Sequence, residues 1–155
     1  MLISKIKNIA KGTVLDNEQM SKHTSYGIGG KVLAYIRTFD KYELIKIIKL
    51  IKKNNSKFYF IGSGSNLLVN DKKINAYIIT PAKALKSFNI DNNIITAESG
   101  VMLGKIVKES IKNNLTGLEC LCGVPGTLGG ALMMNAGAWG AEISNYLLSV
   151  DVISN

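Results

Sequence analysis

The chain has 155 residues, of which 46% are hydrophobic and 19% are charged, and two are proline. This composition excludes a disordered, collagen-like or low-complexity protein, and the length fits one domain with a sizeable hydrophobic core. The longest apolar runs, Val32–Ile36 and Ala131–Met134, are far shorter than the ~20 residues of a membrane span. No apolar block of secretory length follows Met1, so we expect a cytoplasmic protein without a membrane partner.

The net charge of +8 raises the question of a nucleic-acid partner. The lysines are spread along predicted helix faces, Arg37 is the one arginine, and no basic stripe is interleaved with aromatic residues. We therefore predict no nucleic-acid partner, and only a mild attraction for small anions. Cys120 and Cys122 are too close for an unstrained disulfide and lack companion ligands for zinc, so we expect small apolar fillers and no metal site.

The first half of the chain predicts alternating helices and strands. An apolar face indicates a helix near Leu2–Ala10, and the Asp40–Glu43 capping-box pattern opens a second helix that stops near Asn54. We predict strands at Val32–Arg37, Phe58–Ile61, Leu67–Val69 and Ala76–Thr80. The unbroken apolar run Phe58–Ile61 favours a strand that is covered on both faces.

The second half has a different pattern. A hairpin is expected from Phe88–Ile90 and Ile94–Glu98, and a further strand from Tyr146–Ile153. An amphipathic helix lies between them, marked by Leu103, Ile106, Val107 and Ile111. Because the pattern changes after Pro81, we predict two mixed α/β subdomains, residues 1–80 and residues 81–155.

The loop Gly62–Asn66 is the first chemical feature. It follows a predicted strand–helix–strand unit, at the position where open α/β sheets place their ligands. Alternating glycine and serine allow successive main-chain N–H groups to face one concavity and bind phosphate oxygens. A tight turn that merely needs glycine is the competing interpretation. Position 67 is leucine and no P-loop lysine is present, which excludes a dinucleotide-binding fingerprint and an NTPase loop.

A second glycine-rich segment spans Gly123–Gly130. Pro125-Gly126 predicts a turn, Thr127 a helix cap, and Gly129-Gly130 a helix start close to a neighbour, with free N–H groups suited to an anion. Close backbone packing alone explains the glycines equally well. Two such segments in one short chain favour a large ligand that contains a diphosphate.

Groups for catalysis are scarce in this sequence. His23 is the one histidine, and we interpret it as a loop hydrogen-bonding residue rather than a general base. Glu98, Glu119 and Glu142 are isolated, so no carboxylate pair is indicated. An organic cofactor that supplies the chemistry fits this shortage.

Three blocks, in order along the chain, resemble the UDP-N-acetylenolpyruvoylglucosamine reductase (UDP-N-acetylmuramate dehydrogenase) family. They are Thr24-Ser25 with Ile28-Gly29-Gly30, then Gly62–Val69, then Gly117–Gly130 followed by Met134–Ala138. The resemblance implies a two-subdomain FAD-binding fold of the vanillyl-alcohol-oxidase type. It also implies NADPH-dependent reduction of the enolpyruvyl ether of a UDP-sugar substrate, a step of peptidoglycan synthesis.

The resemblance also implies which residues hold the cofactor. Those expected at the FAD diphosphate are Gly62, Ser63, Gly64, Ser65, Asn66 and Leu67. Those expected along the flavin and its ribityl chain are Gly123, Val124, Pro125, Gly126, Thr127, Gly129, Gly130, Asn135, Ala136 and Gly137.

The catalytic residues of the family, an Arg, a Ser and a Glu, are expected beyond Asn155, together with a carboxyl-terminal substrate domain. The second subdomain is accordingly expected to be incomplete, and the chain to be a fragment that is inactive alone. Three alternatives stay open at this point: an FAD-binding remnant without turnover, an FAD-linked oxidase of another substrate, and an α/β protein whose glycines serve packing only.

Overall fold

A computed structural model of the chain describes residues 1–153, so the last two residues of the predicted second subdomain lie outside the described part. The regular elements are four helices, α1 (Leu2–Ile9), α2 (Lys41–Lys53), α3 (Leu103–Lys112) and α4 (Leu128–Met133), and eight strands, β1 (Thr13–Asp16), β2 (Val32–Arg37), β3 (Phe58–Phe60), β4 (Ile74–Thr80), β5 (Phe88–Asp91), β6 (Ile94–Ala97), β7 (Gly137–Ala138) and β8 (Ala141–Glu142). The mixed α/β fold class is confirmed.

The first part of the chain forms a four-stranded sheet in the order β1-β2-β4-β3. β1 pairs antiparallel with β2, while β2 and β3 both run parallel to β4. The predicted strand–helix–strand unit is therefore present, with β4 inserted between its two strands. Because β2, β3 and β4 run in the same direction, their carboxyl ends lie at the same end of the sheet.

Two apolar clusters cover the two faces of this sheet. On one face α1 and α2 pack through Ile6, Leu44 and Ile47 against Ile36 and Ile79. On the other face Met20, Val32, Tyr35, Ile61, Val69 and Ile78 form a second cluster. A third cluster joins α3, α4 and the loops around them through Leu103, Val107, Leu121, Ala131 and Ile143.

The predicted cap of α2 is confirmed and extended. The carboxylate of Asp40 accepts a 2.7 Å hydrogen bond from the main-chain N–H of Glu43. Glu43 is buried, and its carboxylate accepts from the main-chain N–H groups of Phe39 (2.9 Å) and Gly12 (3.1 Å). The helix start is thus tied to the turn that precedes β1, and the buried charge is compensated by two donors.

Three expectations about strands are wrong. The run Phe58–Ile61 lies at the edge of the sheet, where Tyr59 and Phe60 are more than half exposed, instead of being covered on both faces. Residues 67–69 form no strand, and Val69 is buried as part of a loop that returns to the sheet. The segment Tyr146–Ile153 is no strand either: a 3₁₀-helix covers Ile143–Tyr146, and exposed chain without regular structure follows.

The remaining predicted elements are confirmed with small shifts. The hairpin β5-β6 turns through Asn92, whose φ of +52° lies in the left-handed region. In α3 the residues Leu103, Ile106 and Val107 are buried as expected, whereas Ile111 is half exposed and Ser110 is buried in its place. Ser110 satisfies its hydroxyl by donating to the carbonyl of Val107.

Candidate functional site

A cleft of about 370 Å³ lies where the parallel strands end. Arg37 ends β2, Gly62 and Ser63 follow β3, and Thr80 ends β4. Open α/β sheets bind ligands at this edge. The lining residues are Lys22, His23, Thr24, Ser25, Tyr35, Arg37, Gly62, Ser63, Thr80, Ala82 and Lys83.

The loop 62–66 needs its glycines because neighbouring backbone and side chains approach closely. Gly64 has a φ of +73°, and a Cβ there would overlap the carbonyl oxygen of His23. The main-chain N–H of Ser25 donates to the carbonyl of Gly64 over 3.0 Å. A Cβ on Gly62 would overlap the hydroxyl oxygen of Thr127. The segment His23–Ser25 therefore holds the loop from one side and Thr127 from the other.

The main-chain N–H groups of loop 62–66 lack protein acceptors in the described part of the chain. None of them donates to a protein acceptor within residues 1–153. Their neighbours do pair: the N–H of Ile61 donates to Ile79, and the carbonyl of Gly64 accepts from Ser25. Consecutive N–H donors without acceptors, at the mouth of a cleft, form a suitable environment for phosphate oxygens.

The second glycine segment meets this loop directly. The hydroxyl of Ser65 donates to the carbonyl of Pro125 over 3.1 Å, and the hydroxyl of Ser63 donates to that of Ser65 over 3.3 Å. Gly126 has a φ of +135°, and a Cβ there would stand 3.3 Å from the Ser65 hydroxyl oxygen. The two loops that sequence reasoning singled out separately are thus adjacent in space.

The start of α4 differs from its expected role as an anion site. Thr127 caps the helix as predicted, accepting from the N–H of Gly130 at 3.4 Å. The N–H groups of Leu128 and Gly129 donate to the carbonyls of Val101 and Ser99, both at 2.8 Å. The prediction of free N–H groups at this helix start is therefore wrong. A Cβ on Gly129 would stand 2.8 Å from the Ser99 Cβ, so this glycine permits close packing.

The predicted site segment 135–137 lies beyond the other end of α4. Asn135 has a φ of +44°, its side-chain amide donates to Glu142, and its amide oxygen accepts from the N–H of Ser144. Gly137 pairs with Glu142 in the short β7-β8 ladder. Within residues 1–153 no hydrogen bond joins this segment to the loop 62–66, whereas Pro125 accepts one from Ser65 of that loop.

Several cleft residues were missed by sequence reasoning. Arg37, Lys22 and Lys83 give the cleft three cationic groups, and its lining includes no carboxylate. The Arg37 guanidinium lies 5.6 Å from the centre of the Tyr35 ring. The position of two residues in the predicted strands could have identified them as cleft residues. Arg37 and Thr80 are the last residues of strands whose ends meet the glycine loop. Arg37 and the two lysines give the cleft a cationic lining.

His23 is held by a contact of one ring face and a contact of one ring nitrogen. Its ring stacks on Tyr35 with a centroid separation of 3.8 Å and an interplanar angle of 9°. Its Nε2 lies 3.0 Å from a carboxylate oxygen of Glu18, which also pairs with Lys22 at 3.5 Å. Partial burial opposes ionisation of Glu18, but the hydrogen bond from His23 and the charge of Lys22 outweigh it and lower the pKa of Glu18 below 4.5.

Other classes of site find no support in the part of the chain that the structure describes. Cys120 and Cys122 are both free thiols. No three His, Cys, Asp or Glu side chains among residues 1–153 are grouped so as to hold a metal ion. Within the same range, every helix is too short or too polar to cross a membrane.

Comparison with known proteins places this cleft in context. Residues 32–155 match a family model described as an FAD binding domain. The UDP-N-acetylenolpyruvoylglucosamine reductase of Clostridium kluyveri is 42% identical over 139 residues, which is 90% of this chain and 45% of that protein. The Clostridium tetani enzyme of the same name is 42% identical over 149 residues, 96% of this chain and 48% of that protein. The chain spans about half the length of the curated relatives it matches.

Solved structures give the same result for the fold. The UDP-N-acetylenolpyruvylglucosamine reductase of Thermus caldophilus superposes with a TM-score of 0.62 and 26% identity, covering 85% of this chain and 45% of that one. A solvent-stable cholesterol oxidase superposes with a TM-score of 0.63 at 18% identity, covering 83% of this chain and 25% of that one. The second likeness shows a shared fold alone.

Proposed function

Because the chain belongs to the FAD-binding domain family, we propose that it holds FAD with the diphosphate against residues Gly62–Leu67. The observation that carries this proposal is the row of N–H groups in loop 62–66 that lack protein acceptors beside a cationic cleft. Gly64 and Gly62 let this loop pack against the His23 carbonyl and the Thr127 hydroxyl, which a Cβ at either position would overlap. Each hydrogen bond to a charged phosphate oxygen is worth about 1.5–3 kcal/mol.

We further propose that the flavin and its ribityl chain lie along Gly123–Thr127, Gly129, Gly130 and Asn135–Gly137. The contact between Ser65 and Pro125 supports this placement, because it makes the second segment continuous with the diphosphate loop. The paired N–H groups of Leu128 and Gly129 limit what α4 contributes: its start offers close approach rather than anion-binding donors. FAD supplies hydride-transfer chemistry when bound.

The activity we propose for the complete protein is NADPH-dependent reduction of a UDP-N-acetylglucosamine enolpyruvyl ether in the cytoplasm, as a step of cell-wall peptidoglycan synthesis. Its support is the 42% identity to reductases of that name in two clostridia. A UDP-sugar is then the substrate. We assign no catalytic residue in this chain, because the Arg, Ser and Glu expected for the reaction have no matching positions here.

We also propose that the division near Pro81 separates two FAD-binding subdomains, residues 1–80 and 81–155. The sheet clusters draw their buried residues from positions up to Ile79, and the third cluster draws its own from Leu103 onwards. The two loops of the proposed cofactor site lie on opposite sides of this division: loop 62–66 precedes Pro81, and the segment Gly123–Gly130 follows it.

The test of FAD binding is the visible absorption spectrum of the 155-residue chain after incubation with FAD and desalting. We expect a retained flavin band that is shifted from that of free FAD. A folded chain that retains no flavin contradicts the proposal. Turnover by the complete protein separates two further outcomes: oxidation of NADPH with the enolpyruvyl substrate supports the reductase, whereas flavin reduction by an alcohol or a hydroxy acid supports an oxidase.

A further inference from the structure

Residues 24–30, the first of the three blocks that resemble the reductase family, contact the diphosphate loop without belonging to it. The main-chain N–H of Ser25 donates to the carbonyl of Gly64, in the middle of that loop, over 3.0 Å. At the other end of the block, the N–H of Gly30 donates over 2.8 Å to the carbonyl of Asn70, in the segment that leaves the loop. The block therefore meets the loop at two points, its middle and its exit.

A side chain adds to the contact at the exit. The carboxylate of Asp71 accepts a hydrogen bond from the main-chain N–H of Gly29 over 3.1 Å. A Cβ on Gly29 would stand 2.9 Å from the Cβ of the buried Val69, and a Cβ on Gly30 would overlap the carbonyl oxygen of Asp71. The exit of the loop is thus held against two glycines by hydrogen bonds and by close packing.

The same two glycines are fixed on their other side. Their carbonyls accept from the main-chain N–H groups of Ser21 and Met20, at 3.1 Å for Gly29 and 3.0 Å for Gly30. The side-chain amide of Gln19 also donates to the carbonyl of Gly29, over 2.7 Å. Because both the N–H groups and the carbonyls are paired, the two glycines form a fixed base for the exit of the loop.

A closed turn joins this base to Ser25. The hydroxyl of Thr24 donates to the carbonyl of Ile28 over 2.8 Å, and the N–H of Gly27 donates to the carbonyl of Thr24 over 3.1 Å. Gly27 has a φ of +65°, which favours glycine at this position. The middle and the exit of the diphosphate loop are therefore both tied to one turn of fixed geometry.

The loop needs such support because no strand follows it. Its amino end continues β3, where the N–H of Ile61 donates to the carbonyl of Ile79. Residues 67–69 have no regular structure, so no sheet register fixes the exit. The N–H groups of loop 62–66 bind phosphate oxygens only while they are aimed into one concavity.

We propose that Asp71 is a positioning residue for loop 62–66, and that residues 24–30 form the clamp that it closes. The proposal rests on the proposed function, since the diphosphate of FAD is the group that the loop binds. Asp71 is not among the residues that line the cleft. Its negative charge opposes the binding of an anion, so it favours FAD through its hydrogen bond with Gly29 and not through its charge.

The first test compares FAD titrations of three variants of the 155-residue chain. Asp71→Ala removes the acceptor for Gly29, and we expect FAD to bind about fivefold more weakly, the usual effect of one lost hydrogen bond. Asp71→Asn keeps a side-chain oxygen for Gly29, so it should bind FAD at least as tightly as the wild type. The matched control Asp91→Ala removes the same charge and an exposed hydrogen bond from Asn92, and should bind like the wild type.

A second pair of variants tests the turn of the clamp and keeps the proposal falsifiable if Asp71→Ala does not fold. Thr24→Val removes the hydroxyl that donates to Ile28 and keeps the shape of the side chain, whereas Thr24→Ser keeps the hydroxyl. We expect weaker FAD binding in Thr24→Val and wild-type binding in Thr24→Ser. Equal affinities within this pair, equal affinities of Asp71→Ala and Asp91→Ala, or a loss in Asp71→Asn as large as in Asp71→Ala overturn the inference.

A third measurement does not depend on FAD. In the free, folded chain, the amide ¹H–¹⁵N resonances of residues 62–66 should shift or broaden in Asp71→Ala and stay close to the wild type in Asp71→Asn and Asp91→Ala. A lower unfolding temperature of Asp71→Ala with unmoved loop resonances means a structural role only, and overturns the inference. Absence of FAD binding by the wild type contradicts the proposed function instead, and the loop resonances then decide whether Asp71 positions the loop.

Discussion

The hydroxyl of Ser65 donates a hydrogen bond to the main-chain carbonyl of Pro125 over 3.1 Å, across 60 residues of sequence. Ser65 belongs to the loop at the end of β3, and Pro125 to the loop that leads into α4. Through this bond two glycine-rich segments become one surface. The proposed site depends on that surface, because the diphosphate is assigned to the first segment and the flavin with its ribityl chain to the second.

Removing this hydroxyl tests whether the two loops act together. For Ser65→Ala we expect a loss of roughly 0.5–1.5 kcal/mol in the free energy of unfolding, the usual net worth of one hydrogen bond. We also expect weaker FAD binding, because the loops are no longer tied. Urea unfolding and FAD titration measure the two effects. Ser56→Ala is the control, since the Ser56 hydroxyl donates to a carbonyl within its own loop. Equal FAD affinities in the two variants would contradict the account.

Gly64 should tolerate no side chain. Its φ of +73° costs an alanine about 1–2 kcal/mol, and the overlap of a Cβ with the His23 carbonyl adds to that cost. We expect Gly64→Ala to lower the free energy of unfolding by more than about 2 kcal/mol. Gly104→Ala is the matched control: it lies in α3 with open space around its Cβ, and should stabilise the chain by up to about 1 kcal/mol. Similar unfolding midpoints for both variants would argue against the loop geometry.

The cationic lining of the cleft predicts an effect of charge on affinity. Arg37→Gln removes a guanidinium from the cleft wall, and we expect FAD to bind about tenfold more weakly, which equals about 1.4 kcal/mol. The variant should also show a smaller loss of affinity when salt is added. Lys49→Gln removes an exposed charge on α2, outside the cleft, and should bind FAD like the wild type. Indistinguishable affinities in fluorescence titrations of the two variants would place the ligand elsewhere.

The cap of α2 predicts a pH effect on stability. The N–H of Glu43, aided by Lys11, holds the pKa of Asp40 below its ordinary 3.8. A carboxylate whose pKa is lower in the folded state stabilises the fold above 3.8, and this contribution is lost as pH falls through the folded-state pKa. Asparagine also caps helices but does not titrate, so Asp40→Asn should lose less stability than the wild type between pH 5 and pH 3. Parallel acid profiles in thermal unfolding would show that the cap carries no such dependence.

Local sequence patterns were sufficient for most of the fold. Helix α2 could be predicted from its cap and apolar face, and the hairpin β5-β6 from a turn between two apolar runs. The apolar run at β3 led to the wrong prediction of a strand covered on both faces. An edge strand next to a loop can carry exposed aromatic residues that resemble a buried strand in sequence. The prediction of a strand at Tyr146–Ile153 was wrong for a related reason: apolar residues indicate burial only where another element covers them.

The site was harder to predict than the fold. The two glycine loops are visible in the sequence, but their contact joins residues 60 positions apart, which no local pattern indicates. The sheet order, which places β4 between β2 and β3, brings Arg37 to the cleft. The hydrogen bonds of the N–H groups at the start of α4 could not be predicted either. Their acceptors, the carbonyls of Ser99 and Val101, lie in a preceding loop that no helix motif identifies.

The central claim is that the N–H groups of loop 62–66 hold the diphosphate of FAD. The measurement that tests it most directly is a calorimetric titration of the 155-residue chain with FAD and, separately, with riboflavin, which carries the flavin without phosphates. The account predicts saturable binding of FAD and at least roughly hundredfold weaker binding of riboflavin, because two lost charge-assisted hydrogen bonds amount to about 3 kcal/mol or more. Equal affinity for the two ligands would contradict it.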